Sequence, residues 1–380
     1  MINLNLSRPS TLSIRLFHLY LLIFGISVCV FSILVRLKLL SFSITSLPLF
    51  SDTLRISKPS TTTLLPRPQP GNPRPPTALA GLMHNMSDDE LLSRASKVVR
   101  VAGEVFKHEK VAFMFLTPGP LPLATFWDRF FKGHEGMYSV YIHAHPSYTD
   151  SSVPPDSAFY GRRIPSQPVY WGTISMIDAE RRLLANALLE YSSNRRFVLL
   201  SDSCIPLFNF TTIYNYLIGT NRSFLGSFDD PRKSGRGRYN RQMWPTIGIE
   251  QWRKGSQWFE IQRDLAVKIV SDKKYYERFR EFCMPPCYSD EHYLPTLANT
   301  LCPESNSNRS VTWVDWSRGG PHPRKFGWID VKIELLDYIR FGSDCMYNGK
   351  MGNICHLFAR KFLPNTIRPL MRMAPSILGF

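Results

Sequence analysis

The stretch "KVAFMFLT" (Lys110–Thr117) decides the fold. Its apolar run has the length of a strand and no polar face, which suits a strand covered on both sides. A helix candidate, "LPLATFWDRFF" (Leu121–Phe131), follows, and then a second strand, "YSVYIHAH" (Tyr138–His145). Strand, helix and strand in that order form a βαβ unit and imply a parallel sheet. The pattern recurs downstream. "SMIDAERRLLANALLEY" (Ser175–Tyr191) reads as a helix capped by Ser175, with Leu183, Leu184, Ala187, Leu188 and Tyr191 on one face. "RRFVLLSDS" (Arg195–Ser203) is a buried strand ending in polar residues. Upstream, Ser87 and Glu90 have capping-box spacing for a helix from Asp88 to Phe106. In an open α/β sheet, ligands bind beyond the carboxyl ends of the strands. Thr117, His143, His145 and Asp202 are therefore expected at one crevice; each also reads as a polar cap on the turn that follows.

Working outward, the chain has 380 residues, 44% hydrophobic, enough for one large domain or two small ones. The net charge of +16 favours anionic partners. The compartment decides among them. Leu16–Val35, "LFHLYLLIFGISVCVFSILV", is interrupted only by His18 and is long enough to span a bilayer. Its apolar run exceeds a signal-peptide core and no small-x-small cleavage site follows, so an uncleaved anchor is expected over a cleaved signal. Arg8 and Arg15 before it are nearly balanced by Arg36 and Lys38 after it. Residues 1–15 then form a cytosolic tail and residues 36–86 a stem, in which "LLPRPQPGNPRPP" is proline-dense and extended. Residues 87–380 form the lumenal domain of a type II membrane protein. Six cysteines beyond the anchor and sequons at Asn85, Asn209, Asn221 and Asn308 fit an oxidising lumen, although Asn209 also reads as a helix cap beside the core. A lumenal site removes nucleic acid as a partner.

The chemistry centres on "PPCYSDEHYLP" (Pro285–Pro295). Ser289 is placed to cap a helix limited or bent by Pro295, with Asp290 and Glu291 in its first turn. Acids there complement the helix dipole, or one of them is a carboxylate aimed into a crevice as a general base. A metal site is the third option. However, the chain has no Asp-x-Asp, no His-Glu-x-x-His and no zinc-like cysteine pairing. Without a metal, protein cations must neutralise a leaving diphosphate. They are offered by "DDPRKSGRGRYNR" (Asp229–Arg241), which also reads as a solvated loop, and by the C-terminal segment holding Arg340, Arg360 and Lys361, which also reads as an amphipathic surface helix. Trp252 and Trp258 in one polar loop, and Trp313, Trp316 and Trp328 in another, are sugar-stacking candidates as well as core candidates.

From about Lys110 to Phe362 the chain resembles the core-2/I-branching β-1,6-N-acetylglucosaminyltransferases (glycosyltransferase family 14), most of all their plant branch, once catalogued as a domain of unknown function. "VAFMFLT", "YSVYIH", "RFVLLSDSCIPL", "WRKGSQWF", "YSDEHYLPT", "TWVDWSRGGPHP" and "HLFARKF" carry the resemblance in order. It implies a GT-A-like, Rossmann-type mixed sheet flanked by helices, a Golgi location, and inverting transfer from a UDP-sugar to a glycan or glycoprotein without a metal. Glu291 falls on the family's general base. Lys361 falls on the lysine that contacts the donor diphosphate, and Arg340 on an upstream arginine that shares this role. Phe115 and His145 fall on the donor side; animal members carry Asp where His145 stands. Trp313 falls on an acceptor-side position, and Trp258, Lys254, Asp290 and His292 are placed with it. A non-catalytic glycan-binding or scaffold protein on the same fold is the alternative.

Overall fold

The computed structural model describes residues 82–98, 106–149 and 153–380. The expected span Leu16–Val35 and residues 36–81 of the stem lie outside them, and among the described residues no helix is long and apolar enough to cross a membrane. Leu82 is already buried in the core and His84 Nε2 lies 3.0 Å from Asn186 Oδ1, so the folded domain takes in residues ahead of the expected boundary at residue 87.

In chain order the helices are α1 (Asp88–Ser96), α2 (Ala124–Phe131), α3 (Ile174–Glu190), α4 (Phe210–Ile218), α5 (Arg263–Ser271), α6 (Lys274–Phe282), α7 (Tyr293–Leu301), α8 (Ile333–Phe341) and α9 (Ile367–Met373). The strands are β1 (Lys110–Thr117), β2 (Tyr138–Ala144), β3 (Asn194–Ser201), β4 (Ile205–Pro206), β5 (Glu260–Gln262), β6 (Thr312–Val314), β7 (Cys345–Tyr347), β8 (Lys350–Gly352) and β9 (Phe358–Arg360). The main sheet has the order β2-β1-β3-β5; its first three strands are parallel and β5 runs antiparallel to β3. A smaller sheet, β4-β9-β6, brings the C-terminal strand β9 beside Ile205 and Trp313. This is the mixed α/β architecture, with helices flanking the sheet, that the resemblance implies.

The reading of β1 holds in detail. Val111, Phe113 and Phe115 enter one core with the aromatic side chains of α2, while Ala112 and Met114 enter a second core against α3. Period-two alternation thus feeds two cores from one apolar run. Phe115 is fully buried edge-on to Trp127 and Phe159, with ring centroids 5.2 and 5.3 Å away. It is a core residue, which corrects its expected place on the donor side. Inside the sheet, Arg196 and Glu260 form an ion pair with no exposed side-chain surface, and Arg196 also donates to the carbonyls of Thr220 and Arg222.

Three helix starts and ends differ from expectation. Ser87 accepts from Glu90 N at 3.3 Å as foreseen, but α1 ends at Ser96, where the N–H of Lys97 turns back to Arg94 O. The cap of α3 is Thr173, not Ser175; Ser175 instead accepts from Tyr170 N at 2.8 Å and fixes the approach to the helix. Ser289 caps nothing: its hydroxyl is buried without a partner among the described residues, and Ser289–Glu291 form a 3-10 turn ahead of α7. Proline explains the shift. Had the helix begun at Asp290, Pro295 would fall in its interior, lacking an N–H and clashing with the preceding turn; a start at Tyr293 places Pro295 in the first turn, where no N–H is needed.

Disulfides join Cys283 to Cys287 and Cys345 to Cys355, leaving Cys204 and Cys302 as thiols. Among the sequons, Asn85, Asn221 and Asn308 are exposed, whereas Asn209 caps α4 by accepting from Thr212 N at 2.8 Å.

Candidate active site

Glu291 ends the 3-10 turn, with its backbone N–H on Tyr288 O and its carbonyl accepting from Gly255 N at 2.8 Å. Gly255 is required there, because a Cβ would lie 1.9 Å from Gly226 O. That close approach brings Lys254 to the carboxylate. Glu291 Oε2 receives Arg238 Nη1 at 2.6 Å and Lys254 Nζ as well, while Oε1 takes no donor among the described residues. Burial acts to raise the Glu291 pKa, but the hydrogen bonds and charges of Lys254 and Arg238 outweigh it and hold the carboxyl below its ordinary value. The result is an ionised carboxylate, fixed through one oxygen and open at the other. That is the state a proton acceptor needs.

The neighbours of Glu291 do other things. Asp290 is buried, and burial followed by the charge of Glu291 pushes it up to about 6. Behind it, in the second turn of α3, Glu180 is buried and raised well above the ordinary carboxyl value, chiefly by burial, with Gln257 Nε2 donating to it at 3.1 Å. His292 is fully buried and stacked on Trp252 at 4.5 Å. Its Nδ1–H donates to Arg253 O at 2.8 Å, and burial pulls its pKa down to about 4, which favours the neutral ring. His292 therefore supports the segment that carries Lys254. It has no surface to offer an acceptor, which corrects its expected place. With His292 turned away and Glu291 held by two cations, Asp290, Glu291 and His292 do not converge as metal ligands. Among the described residues no three His, Cys, Asp or Glu side chains do.

The segment after Lys254 leads to a group of cations. Trp258 is buried and carries the Arg360 guanidinium 4.0 Å above its ring. It is a support for a cation rather than an open stacking face, which corrects its expected acceptor role. Arg360, at the end of β9, has no carboxylate within ion-pair distance among the described residues. Lys361 follows it, half-buried, with its pKa lowered by burial and then by Arg360, against the opposing charge of Asp202. Phe326 N donates to Lys361 O at 2.8 Å and Phe362 N to Ser203 O at 2.9 Å, which seats this segment against the polar end of β3. Arg340, on α8, is mostly buried: it pairs with Asp337 at 3.3 Å and lies over Phe208 and Phe341. Trp313, on β6, is partly buried against Phe326 and pairs in register with Ala359, next to Arg360.

The strand-end residues divide. Thr117 caps its own turn, accepting from Gly119 N at 3.1 Å, and His143 is buried. His145 and Asp202 remain partly open, His145 with Nδ1 2.7 Å from Ser147 Oγ. The basic loop Asp229–Arg241 is an ordered turn, not a free one: Arg236 pairs with Asp229, Arg232 with Asp230, and Arg238 reaches Glu291. Sequence reading noted these arginines but gave no means to find which one meets the base. A surface groove of about 380 Å³ lies between α1, α3 and α6 and is not lined by Glu291; within it Arg182 pairs with Asp88 and Tyr276 donates to Asp178.

Two comparisons bear on this geometry. A family model described as "Branch: Core-2/I-Branching enzyme" matches residues 111–340. Glycosyltransferase BC10 of Oryza sativa subsp. japonica is 37% identical over 298 residues, covering 67% of this chain and 73% of the relative.

Proposed function

The chain belongs to the Core-2/I-branching enzyme family and is a glycosyltransferase, and from that premise we propose that it is an inverting, metal-independent Golgi enzyme. It transfers a sugar, of N-acetylglucosamine type, from a UDP-sugar to a glycan or glycoprotein. Glu291 Oε1 takes the proton of an acceptor hydroxyl as that oxygen attacks the anomeric carbon, and the bond to the diphosphate breaks from the opposite face. Lys361 and Arg360 meet the charge that develops on the departing diphosphate. The observation that carries this reading is the Glu291 carboxylate, held ionised through one oxygen by Arg238 and Lys254 with the other oxygen open. The single apolar run at Leu16–Val35 supports a membrane-anchored, lumenal placement.

The test is calorimetry of the full-length chain against a panel of UDP- and GDP-sugars, with and without EDTA. UDP-sugar binding that EDTA leaves unchanged is expected. Lys361→Ala should weaken it about 10- to 100-fold, the worth of one hydrogen bond to a charged group. Binding that EDTA abolishes would refute metal independence. A folded chain that binds no nucleotide sugar would favour a non-catalytic glycan-binding role.

A further inference from the structure

Beside Glu291 the surface carries three aromatic rings from three distant parts of the chain. Trp171 precedes α3 and is 57% exposed. Its ring centroid lies 5.0 Å from that of Tyr288 and 5.6 Å from that of His322, which is also exposed. The cluster is built with care for shape. Gly172 has φ +74°, and a Cβ there would lie 2.6 Å from the Tyr288 ring, so only glycine lets that ring lie against the chain beside Trp171. Tyr288 itself adopts φ +58°, a conformation that is costly for an aromatic residue and that turns its ring toward Trp171. Trp171 and His322 face solvent and Tyr288 is half-buried beneath them, and none of the three belongs to either hydrophobic core.

The cluster is joined to the proposed base by one side chain. The Arg238 guanidinium lies 4.4 Å from the Tyr288 ring centroid and donates to Glu291 Oε2 at 2.6 Å. Exposed rings flanked by a guanidinium donor and a carboxylate match the two sides of a sugar: C–H faces that stack on aromatic rings, and hydroxyls that need donors and acceptors. We propose that Trp171 and His322 form the platform on which a sugar ring of the acceptor stacks, with Tyr288 bracing Trp171 from behind and Arg238 fixing Tyr288 to the base. This rests on the reading of Glu291 as the base. It places acceptor recognition on rings other than Trp258, which is covered by Arg360.

The experiment uses the full-length chain in a detergent without a sugar headgroup. Saturation-transfer NMR follows the methyl β-glycosides of galactose, glucose, xylose and N-acetylgalactosamine, and calorimetry follows UDP on the same samples. At least one glycoside should bind the wild type. Trp171→Ala and His322→Ala should each weaken it about five- to tenfold, Trp171→Phe by about twofold or less, and UDP affinity should stay unchanged, as expected for the loss of one stacking contact. The proposal is overturned if no glycoside binds the wild type, or if both alanine variants bind as the wild type does. It is also overturned if methyl-capped aromatic peptides bind the platform in preference to every glycoside. Glu291→Gln separates the two claims. A variant that still binds glycoside but no longer transfers sugar upholds the base whatever the Trp171 result. A variant that transfers at the wild-type rate removes the base and leaves the platform to be judged by binding alone.

Discussion

Replacing Glu291 by Gln removes the proposed proton acceptor at constant shape. The Gln carbonyl oxygen can still accept from Arg238 or Lys254, so the turn should keep its conformation. The ion pairs lost have side-chain exposures of 18–28%, between a surface pair worth about 1 kcal/mol or less and a buried pair whose breaking costs about 3–5 kcal/mol, so a loss of about 1–3 kcal/mol is expected. The domain should stay folded with a lowered unfolding temperature. Catalysis should move much more. A positioned general base contributes about 10²- to 10⁴-fold, or roughly 3–5 kcal/mol at the barrier. The loss should appear in kcat, measured as UDP release in the presence of acceptor. Removing one negative charge leaves Arg238 and Lys254 uncompensated, so affinity for the anionic nucleotide should hold or tighten. Glu291→Asp supplies the control: it keeps the base but withdraws it by one methylene, and a misplacement of about 1 Å can cost on the order of 10²-fold. Its rate should fall between wild type and Glu291→Gln. If Glu291→Gln keeps kcat within about tenfold of the wild type, the carboxylate is not the base and its two cations serve structure alone.

Asp290 and the interior of the sheet allow two further tests. Burial and the Glu291 charge push Asp290 up to about 6, so between the ordinary value of 3.8 and about 6 the folded state keeps a proton that the unfolded state releases. Stability should then fall as pH rises through that window, by up to about 3 kcal/mol, and Asp290→Asn should flatten the dependence in urea titrations at pH 4 to 7. An unchanged slope would refute the assignment. Arg196→Met strands the buried Glu260 carboxylate and should cost about 3–5 kcal/mol of unfolding free energy, while Arg196→Met with Glu260→Met should recover most of it, since apolar replacement of a whole buried pair is often neutral.

The sheet was legible because its cause is local. β1 is a nearly unbroken apolar run and β3 has one in Phe197–Leu200, each bounded by polar or turn residues, which suits burial on both faces, whereas β2 carries Ser139 and His143 inside its run and is recognised by its place after the helix. The candidate base was legible from the motif around it, but its surroundings were not. Arg238, Lys254 and Glu291 are separated along the chain; Lys254 arrives because the backbone at Gly255 passes against Gly226, and Arg238 arrives from a separate turn closed by Asp229 and Asp230, approaches no spacing rule encodes. Trp171, Tyr288 and His322 come together by the same kind of long-range packing. Trp258, which composition marked as a sugar platform, is spent on Arg360 instead. The helix start after Ser289 was misplaced by local reasoning alone, since the capping residue was weighed more heavily than the position of Pro295.

The two cations on Glu291 come from independent parts of the chain. Arg238 belongs to a turn closed on itself by Asp229 and Asp230, whereas Lys254 is placed by the contact between Gly255 and Gly226. A substitution that removes either one leaves the other still bonded to the carboxylate. The two differ in reach: the turn bearing Arg238 also braces the aromatic surface beside the base, so a change there touches acceptor and base together, whereas a change at Lys254 touches the base alone. The turn has little room for such change, because a Cβ on its Gly235 would lie 2.2 Å from Asp230 O.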